Sequence, residues 1–336
     1  MLEQRTIHHE PPRLLDGHGR HLRYLRLSVT DRCNLRCAYC LPNGCPRGSG
    51  EAPLSLPEIR RLVRAFDELG FHKVRLTGGE PTLRSDLLEI VAAVAASPGV
   101  HHVGLTTNGL RLAALAADLA RAGLNCLNVS IDSLDPARFE AITSHPGLDQ
   151  VLAGVEAALG AGIPRIKVNA VLLSTTDDAE VDRFLAWARD MPVTVRFIEL
   201  METAGDPAYF LRHHVPAAEI ERRLAERGWR RLPRREGDGP ATDYGLAGHR
   251  GRIGVIAPYR RGFCQDCNRL RVSAAGELKL CLFSERTIPL RQLLQSNGQH
   301  EALVAAIEAA VGAKPATHQL AARRVDGLRN MAVIGG

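Results

Sequence analysis

Strand-like runs at residues 24–29, 73–77, 102–106, 126–131, 166–172 and 194–198 alternate with helical patterns at 56–69, 86–96, 110–122, 151–161 and 178–190. No other feature limits the fold as strongly. Parallel strands cannot be joined by a tight hairpin and need a crossover, usually a helix. A strand–helix rhythm repeated six times therefore predicts an α/β chain with a parallel sheet, either doubly wound or closed as a barrel. Ser55 and Glu58 form a capping-box pattern with Pro57 in the first turn, and Gly70 and Gly123 are placed to end helices. After about Pro207 the rhythm breaks: residues 222–235 are basic and 236–242 are rich in Gly and Pro. We expect a core over 18–233 and a smaller region over 234–336 that includes a helix near 303–311.

The polar motifs decide between the two sheets. CNLRCAYC follows the first strand, TGGEP the second, TTNG the third and SIDSL the fourth. Lys167 and Asn169 share a face of the fifth, and Glu199 and Met201 follow the sixth. Motifs at successive strand ends describe one active face, as in a βα barrel. No strand opens into G-x-G-x-x-G, and no lysine follows a glycine, so neither a dinucleotide fingerprint nor a P-loop is present.

Six of eight cysteines form two triplets, Cys33-x3-Cys37-x2-Cys40 and Cys264-x2-Cys267-x13-Cys281. Cys45 and Cys126 fit neither and read as ordinary thiols. Clustered cysteines outside a disulfide framework point to metal or redox chemistry. A structural zinc wants four ligands and would be incomplete at either triplet. A [4Fe-4S] cube held by three thiolates keeps one iron open to a ligand from outside the protein. A zinc loop remains the alternative reading of each. Arg269 and Arg271 stand two apart beside Cys267, and guanidinium forks on one strand face suit a polyphosphate.

The run SVTDRCNLRCAYCLP, with Tyr39 before its last cysteine, resembles the radical S-adenosylmethionine (SAM) superfamily, and TGGEP resembles that family's glycine-rich loop. Together with RLTGGEPTLR, LTTNGL, LNVSIDSL, RFIELM, CQDCNRLRVSAAGELKLCLF and a final IGG, it resembles the GTP 3′,8-cyclases of molybdenum cofactor biosynthesis over nearly the whole chain. The resemblance implies an incomplete (βα)6 barrel with a smaller C-terminal region carrying a second [4Fe-4S] cluster. Cys33, Cys37 and Cys40 would hold the first cluster, and Cys264, Cys267 and Cys281 the second. Tyr39, Gly79, Ser130 and Met201 would contact SAM. Arg26, Arg75, Thr106, Lys167, Arg269, Leu270 and Arg271 would contact GTP. Catalytic roles would fall to Arg26, Arg269, Arg271 and the terminal Gly335 and Gly336. The implied reaction begins with cleavage of SAM to a 5′-deoxyadenosyl radical and closes a bond between C3′ and C8 of GTP. It implies a reducing electron donor and a hand-over partner, the cyclic pyranopterin monophosphate synthase of the next step. Thr82 and Leu41 depart from the family's usual residues, Leu-type and Met. A peptide-maturing radical SAM enzyme, or a non-enzymatic iron–sulfur or zinc nucleotide-binding protein, is the alternative.

The 43 basic residues exceed the acidic ones to give a net charge of +6, which favours anionic partners. Aromatic residues are only 4%, which leaves no stacking platform for nucleic acid. No apolar run approaches the roughly 18 to 20 residues of a membrane span. The first 20 residues lack the apolar core of a signal peptide. The expectation is a soluble cytoplasmic chain, monomeric or homodimeric, that binds neither membrane nor nucleic acid.

Overall fold

The computed structural model describes residues 14–45, 51–202, 206–234, 239–284 and 286–322. The chain runs β1 (Tyr24–Ser28), α1 (Leu56–Glu68), β2 (Lys73–Thr77), α2 (Leu87–Ala95), β3 (His102–Thr107) and α3 (Leu112–Arg121). Next come β4 (Cys126–Ser130), α4 (Pro136–Thr143), α5 (Leu148–Gly160), β5 (Ile166–Leu172), α6 (Asp178–Asp190) and β6 (Thr194–Glu199). The C-terminal part adds α7 (Pro207–His213), α8 (Ala217–Glu226), β7 (Arg230–Arg231), β8 (Thr242–Gly245), β9 (Arg252–Ile256), β10 (Arg269–Val272), β11 (Glu277–Lys279), β12 (Thr287–Pro289) and α9 (His300–Val311).

The local chemistry of α1 shows why these segments form. The Ser55 side chain accepts from the Glu58 amide, and Glu58 returns a bond of 2.7 Å from the Ser55 amide, so two unpaired donors are satisfied at once. Ile59, Leu62, Val63 and Phe66 fall on one face and are buried. Gly70, at φ +85°, turns the chain out of the helix, and Phe71 then packs edge-on against Phe66 at 4.8 Å.

All strands join one sheet in the order β12-β11-β10-β1-β2-β3-β4-β5-β6-β9-β8-β7. Strands β1 to β6 pair in parallel, each with the next. β1 and β6 do not pair with each other. β10 adds in parallel to β1 and β9 in parallel to β6. The C-terminal segment therefore extends both edges of the six-stranded unit, and the barrel stays open between them. The sheet still curls, because residues of β1, β2, β4, β5, β6 and β10 line a single cavity.

Side chains alternate along every barrel strand. Leu25, Leu27, Val74, Leu76, Leu105, Leu127, Val129, Val168, Val195 and Phe197 are buried in the core that the helices cover. Their neighbours, at period two, point the other way. This inner set is polar: Tyr24, Arg26, Arg75, Thr106, Asn128, Lys167, Asn169 and Arg196. The fold thus spends one strand face on stability and leaves the other for chemistry.

Candidate active site inside the partial barrel

The inner face divides into two adjoining chambers. The upper one, at the C-terminal ends of the strands, is lined by Cys33, Tyr39, Cys40, Gly78, Gly79, Thr106, Ser130, Asp132 and Met201 among others. The lower one is lined by Arg26, Arg75, Lys167, Arg196, Arg269, Arg271 and the second cysteine triplet. Asn169, Ile198 and Met201 belong to both walls.

In the upper chamber the cysteine loop is fixed by the glycine-rich loop. The Gly79 amide donates to the Thr30 carbonyl at 2.9 Å, and the Glu80 amide donates to the Arg32 carbonyl at 2.7 Å. A Cβ at Gly79 would lie 2.3 Å from the Arg32 oxygen, so only glycine permits this approach. Glu80 is fully buried. It accepts from the Thr82 hydroxyl at 2.6 Å, the Thr107 hydroxyl at 2.7 Å and the Asn108 amide at 2.6 Å. Thr82, a departure from the family pattern, therefore earns a structural bond here. Asn108 in turn donates to Asn34 inside the cysteine loop at 2.8 Å. The Tyr39 hydroxyl donates to Asp132 at 2.9 Å, and Asp132 also accepts from the Val171 amide. Burial pushes the Asp132 carboxyl up to about 6.

The three thiols of this loop are close enough to oppose one another's ionisation. Burial pushes Cys37 up, and the charges of Asp132, Cys40 and Cys33 add to it. Cys45, read as an ordinary thiol, lies beside them: its sulfur accepts the Cys33 amide at 2.9 Å.

Among the described residues, the wall of the lower chamber carries eight cationic side chains, the six named above with Lys73 and Lys314, and no Asp or Glu. The strand register stacks them in rows. Arg26 stands level with Arg75 on one side and Arg271 on the other, and Tyr24 level with Lys73 and Arg269. Arg75 is anchored by the Tyr24 hydroxyl at 2.9 Å and the Leu105 carbonyl at 2.8 Å. Gly104 opposite leaves the space it occupies, since a Cβ there would lie 2.8 Å from its guanidinium carbon.

Such crowding is unfavourable without an anion. Burial, with Arg196, Lys73 and Arg75 nearby, pulls Lys167 down to about 7. Burial and the neighbouring Arg75 and Arg269 bring Arg26 to about 10, against the opposing pull of Tyr24. Arg271 is held well below its ordinary value by burial, Arg26 and Arg269. Polar acceptors also wait. Thr106 Oγ1, Asn128 Oδ1 and Asn169 Oδ1 are buried and have no hydrogen-bond partner among the described residues.

The second triplet opens onto this cationic chamber. Burial raises the Cys267 thiol, but Arg269 and Lys314 outweigh it and bring it to about 7. Lys314, from the turn after α9, donates to the carbonyls of Arg269 at 3.0 Å and of Leu280. It thus ties the strand after Cys267 to the residue before Cys281. His318 packs edge-on against Phe283 at 5.0 Å and, through hydrogen bonding, lowers Cys264 against its burial.

These chambers are the setting for the comparisons with known proteins. Residues 27–188 match the Radical SAM superfamily and residues 193–320 match Molybdenum Cofactor Synthesis C. A GTP 3′,8-cyclase of Stenotrophomonas maltophilia (strain R551-3) is 50% identical over 323 residues, covering 96% of this chain and 99% of that one. One from Synechococcus elongatus is 47% identical over 324 residues, covering 96% and 99%. The chain belongs to the GTP 3′,8-cyclase family. Among solved structures, Streptococcus suis SuiB bound to S-adenosylmethionine superposes with a TM-score of 0.62 at 13% identity, covering 86% of this chain and 69% of that one, a likeness of fold. Membership in this radical SAM family makes the chain an enzyme that works with S-adenosylmethionine and an iron–sulfur cluster.

Against this family background the residues singled out from sequence can be placed. Tyr39, Gly79, Ser130 and Met201 line the upper chamber, and Thr106 lies there with them rather than among the cations. Arg26, Arg75, Lys167, Arg269 and Arg271 line the lower chamber. Leu270 does not join them: it is fully buried in the core on the opposite strand face. Gly335 and Gly336 lie outside the described residues. Lys73, Arg196, Asn128 and Lys314 share the lower wall but were not singled out. Arg196 sits in the RFIELM run, and only its pairing with Asn169 reveals that it faces inward.

Proposed function

We propose that the chain converts GTP to (8S)-3′,8-cyclo-7,8-dihydroguanosine 5′-triphosphate, the first step of molybdenum cofactor biosynthesis. The observation that carries this reading is the lower chamber: among the described residues, eight cations, no carboxylate in the wall, and a cysteine triplet at its side. A triphosphate relieves that repulsion, and guanidinium forks bind its oxygens in pairs. Arg26, Arg75, Lys167, Arg269 and Arg271 grip it, with Lys73 and Arg196 beside them. Two [4Fe-4S] clusters fit the residues present. Cys33, Cys37 and Cys40 would hold one beside the Gly78–Gly79 cradle, and Cys264, Cys267 and Cys281 would hold the other beside the cationic chamber.

When bound, S-adenosylmethionine and its cluster would supply the radical chemistry that activates the 3′ position of the ribose. The chain's own residues orient and exclude. Tyr39, Gly79, Ser130 and Met201 seat SAM in the upper chamber. Asn169, Ile198 and Met201 form the wall common to both chambers, which brings the ribose up to the reacting group. Thr106 and Asn128 offer unsatisfied oxygens along the same face. The apolar Phe263, Leu280, Leu282 and Phe283 keep water from the second cluster. Gly335 and Gly336 serve turnover, and a reductant and the next-step synthase complete the partner set. The site of work is the cytoplasm.

The test is anaerobic reconstitution with iron, sulfide, SAM, dithionite and GTP, followed by mass spectrometry. The cyclised triphosphate and 5′-deoxyadenosine are expected together. 5′-Deoxyadenosine formed without any change in GTP would defeat the substrate assignment. The double variant Arg269→Ala, Arg271→Ala should bind GTP more weakly by at least about tenfold to a hundredfold, since each charge-assisted bond is worth roughly 1.5 to 3 kcal/mol.

A further inference from the structure

The lower chamber does not end at its own floor. Tyr24, Lys73, Gly239, Pro240, Phe263 and Arg269 also line a third cavity, which continues outward from it. The inner rim of that cavity is set by Tyr24, Lys73 and Arg269, which begin β1, β2 and β10. It is therefore at the end of the barrel opposite the first cysteine triplet. Its outer wall carries Arg231, Arg234, Arg260 and Arg261, all exposed. With Lys73 and Arg269 that makes, among the described residues, six cations against one carboxylate in the lining, Asp266.

Two of the outer arginines are partly neutralised. Arg234 pairs with Asp266 at 2.7 Å, and Arg260 pairs with Glu221. Among the described residues, Arg231 and Arg261 carry no ion pair. Among the described residues, a predominantly cationic funnel leads into a cationic chamber. Its charges repel one another and those within. The arrangement is favourable only to a polyanion moving inward.

A second point of geometry matters. The upper and lower chambers adjoin, with Asn169, Ile198 and Met201 lining both. A molecule seated against the first triplet would close the upper end. We infer that the arginine-lined cavity is a separate doorway through which the nucleoside triphosphate reaches the lower chamber, phosphates interacting with Arg231 and Arg261 on the way, while SAM uses the other end. This rests on the reading that GTP is the substrate. Each ligand then has its own route, so SAM already in place does not shut GTP out.

The test uses the cluster-loaded, SAM-saturated full chain and GTP itself, by anaerobic stopped-flow measurement of the GTP association rate across a range of NaCl concentrations. In the wild type, saturation with SAM should leave GTP binding intact. The double reversal Arg231→Glu, Arg261→Glu should slow GTP association about tenfold at low salt. The gap should narrow to less than about twofold once the Debye length falls well below 10 Å. SAM affinity, iron content and kcat at saturating GTP should stay at wild-type values. Arg231→Gln with Arg261→Gln is a milder second variant and should show a smaller loss with the same salt trend. Equal GTP association rates in wild type and both variants at every salt would overturn the doorway. So would a wild type that binds GTP alone but not after SAM. A wild type that binds no GTP under any condition would instead overturn the substrate reading beneath it.

Discussion

Lys167 is where the crowded positive charge of the lower chamber is most open to measurement. Its ammonium is held at about 7 by burial and by Arg196, Lys73 and Arg75, whereas a lysine in the unfolded chain titrates near 10.4. The folded form therefore binds this proton less well than the unfolded one. The resulting destabilisation is full below about 7 and fades as pH rises towards 10.4. A bound triphosphate reverses the balance by favouring the charged form. At pH 8, GTP binding should take up protons, with about one assigned to Lys167. Calorimetry in two buffers of different ionisation enthalpy reads the uptake directly, and Lys167→Met should lower it by about one proton while weakening binding. Tyr24 responds in the same direction. Burial opposes its ionisation, but Arg75, Arg26 and Lys73 bring its hydroxyl down to about 6, and a triphosphate that neutralises those cations lets it reprotonate. Binding enthalpies that do not depend on buffer would mean the chamber is not a polyanion site.

At the scale of elements, the glycine-rich loop and the cysteine loop act as one piece. Gly79→Ala would force a Cβ to within 2.3 Å of the Arg32 oxygen, and backbone, not a flexible side chain, would have to yield. Overpacking of this kind costs roughly 1 to 3 kcal/mol. The displaced loop carries the Cys33 neighbourhood, so the expected result is SAM affinity reduced at least about tenfold with GTP binding kept. Iron analysis should show loss confined to the first triplet. Elements also set what could be read from the sequence. The strands at 73–77 and 166–172 and the helix at 178–190 coincide with β2, β5 and α6, because apolar alternation and end signals are local. α4 was missed: it spans eight residues and carries two buried side chains, Phe139 and Thr143, too few for a visible period. α8 was hidden in an arginine-rich stretch, although Ala217, Ile220 and Leu224 bury one face beneath its Glu219–Arg222–Arg223 ion pairs. The pairing of β10 with β1 joins residues such as Arg26 and Arg271, far apart in the chain, and such contacts leave no local trace. Cysteine spacing exposed both triplets. The inward cations needed register, which is why Arg196 went unnoticed and Leu270 was grouped with its neighbours.

Across the whole molecule, one buried arginine links the two ends of the described chain to the second triplet. Arg20 Nε is 2.6 Å from Asp16, a pair whose side chains are 7% and 0% exposed. Its remaining nitrogens donate to the carbonyls of Cys264 at 3.0 Å, Pro315 at 2.7 Å and Ala316 at 2.9 Å. Lys314 and His318, on either side of those two carbonyls, reach the other parts of the same triplet. The segment before β1, the Cys264 loop and the segment after α9 are thus clasped by a single guanidinium. Arg20→Met should leave Asp16 buried without its partner and release three carbonyls, a loss of about 3 to 5 kcal/mol if the chain cannot relax. The first triplet lies beside the upper chamber and shares none of these bonds. With two clusters of four irons, the variant should fall from about eight irons to about four. The surviving cluster should still support reductive SAM cleavage in the absence of GTP, while cyclisation is lost. Arg20→Lys keeps the pair with Asp16 but cannot span all three carbonyls, so its iron content should lie between the two. Arg20→Met retaining about eight irons would show that the clasp stabilises the fold without positioning the second site.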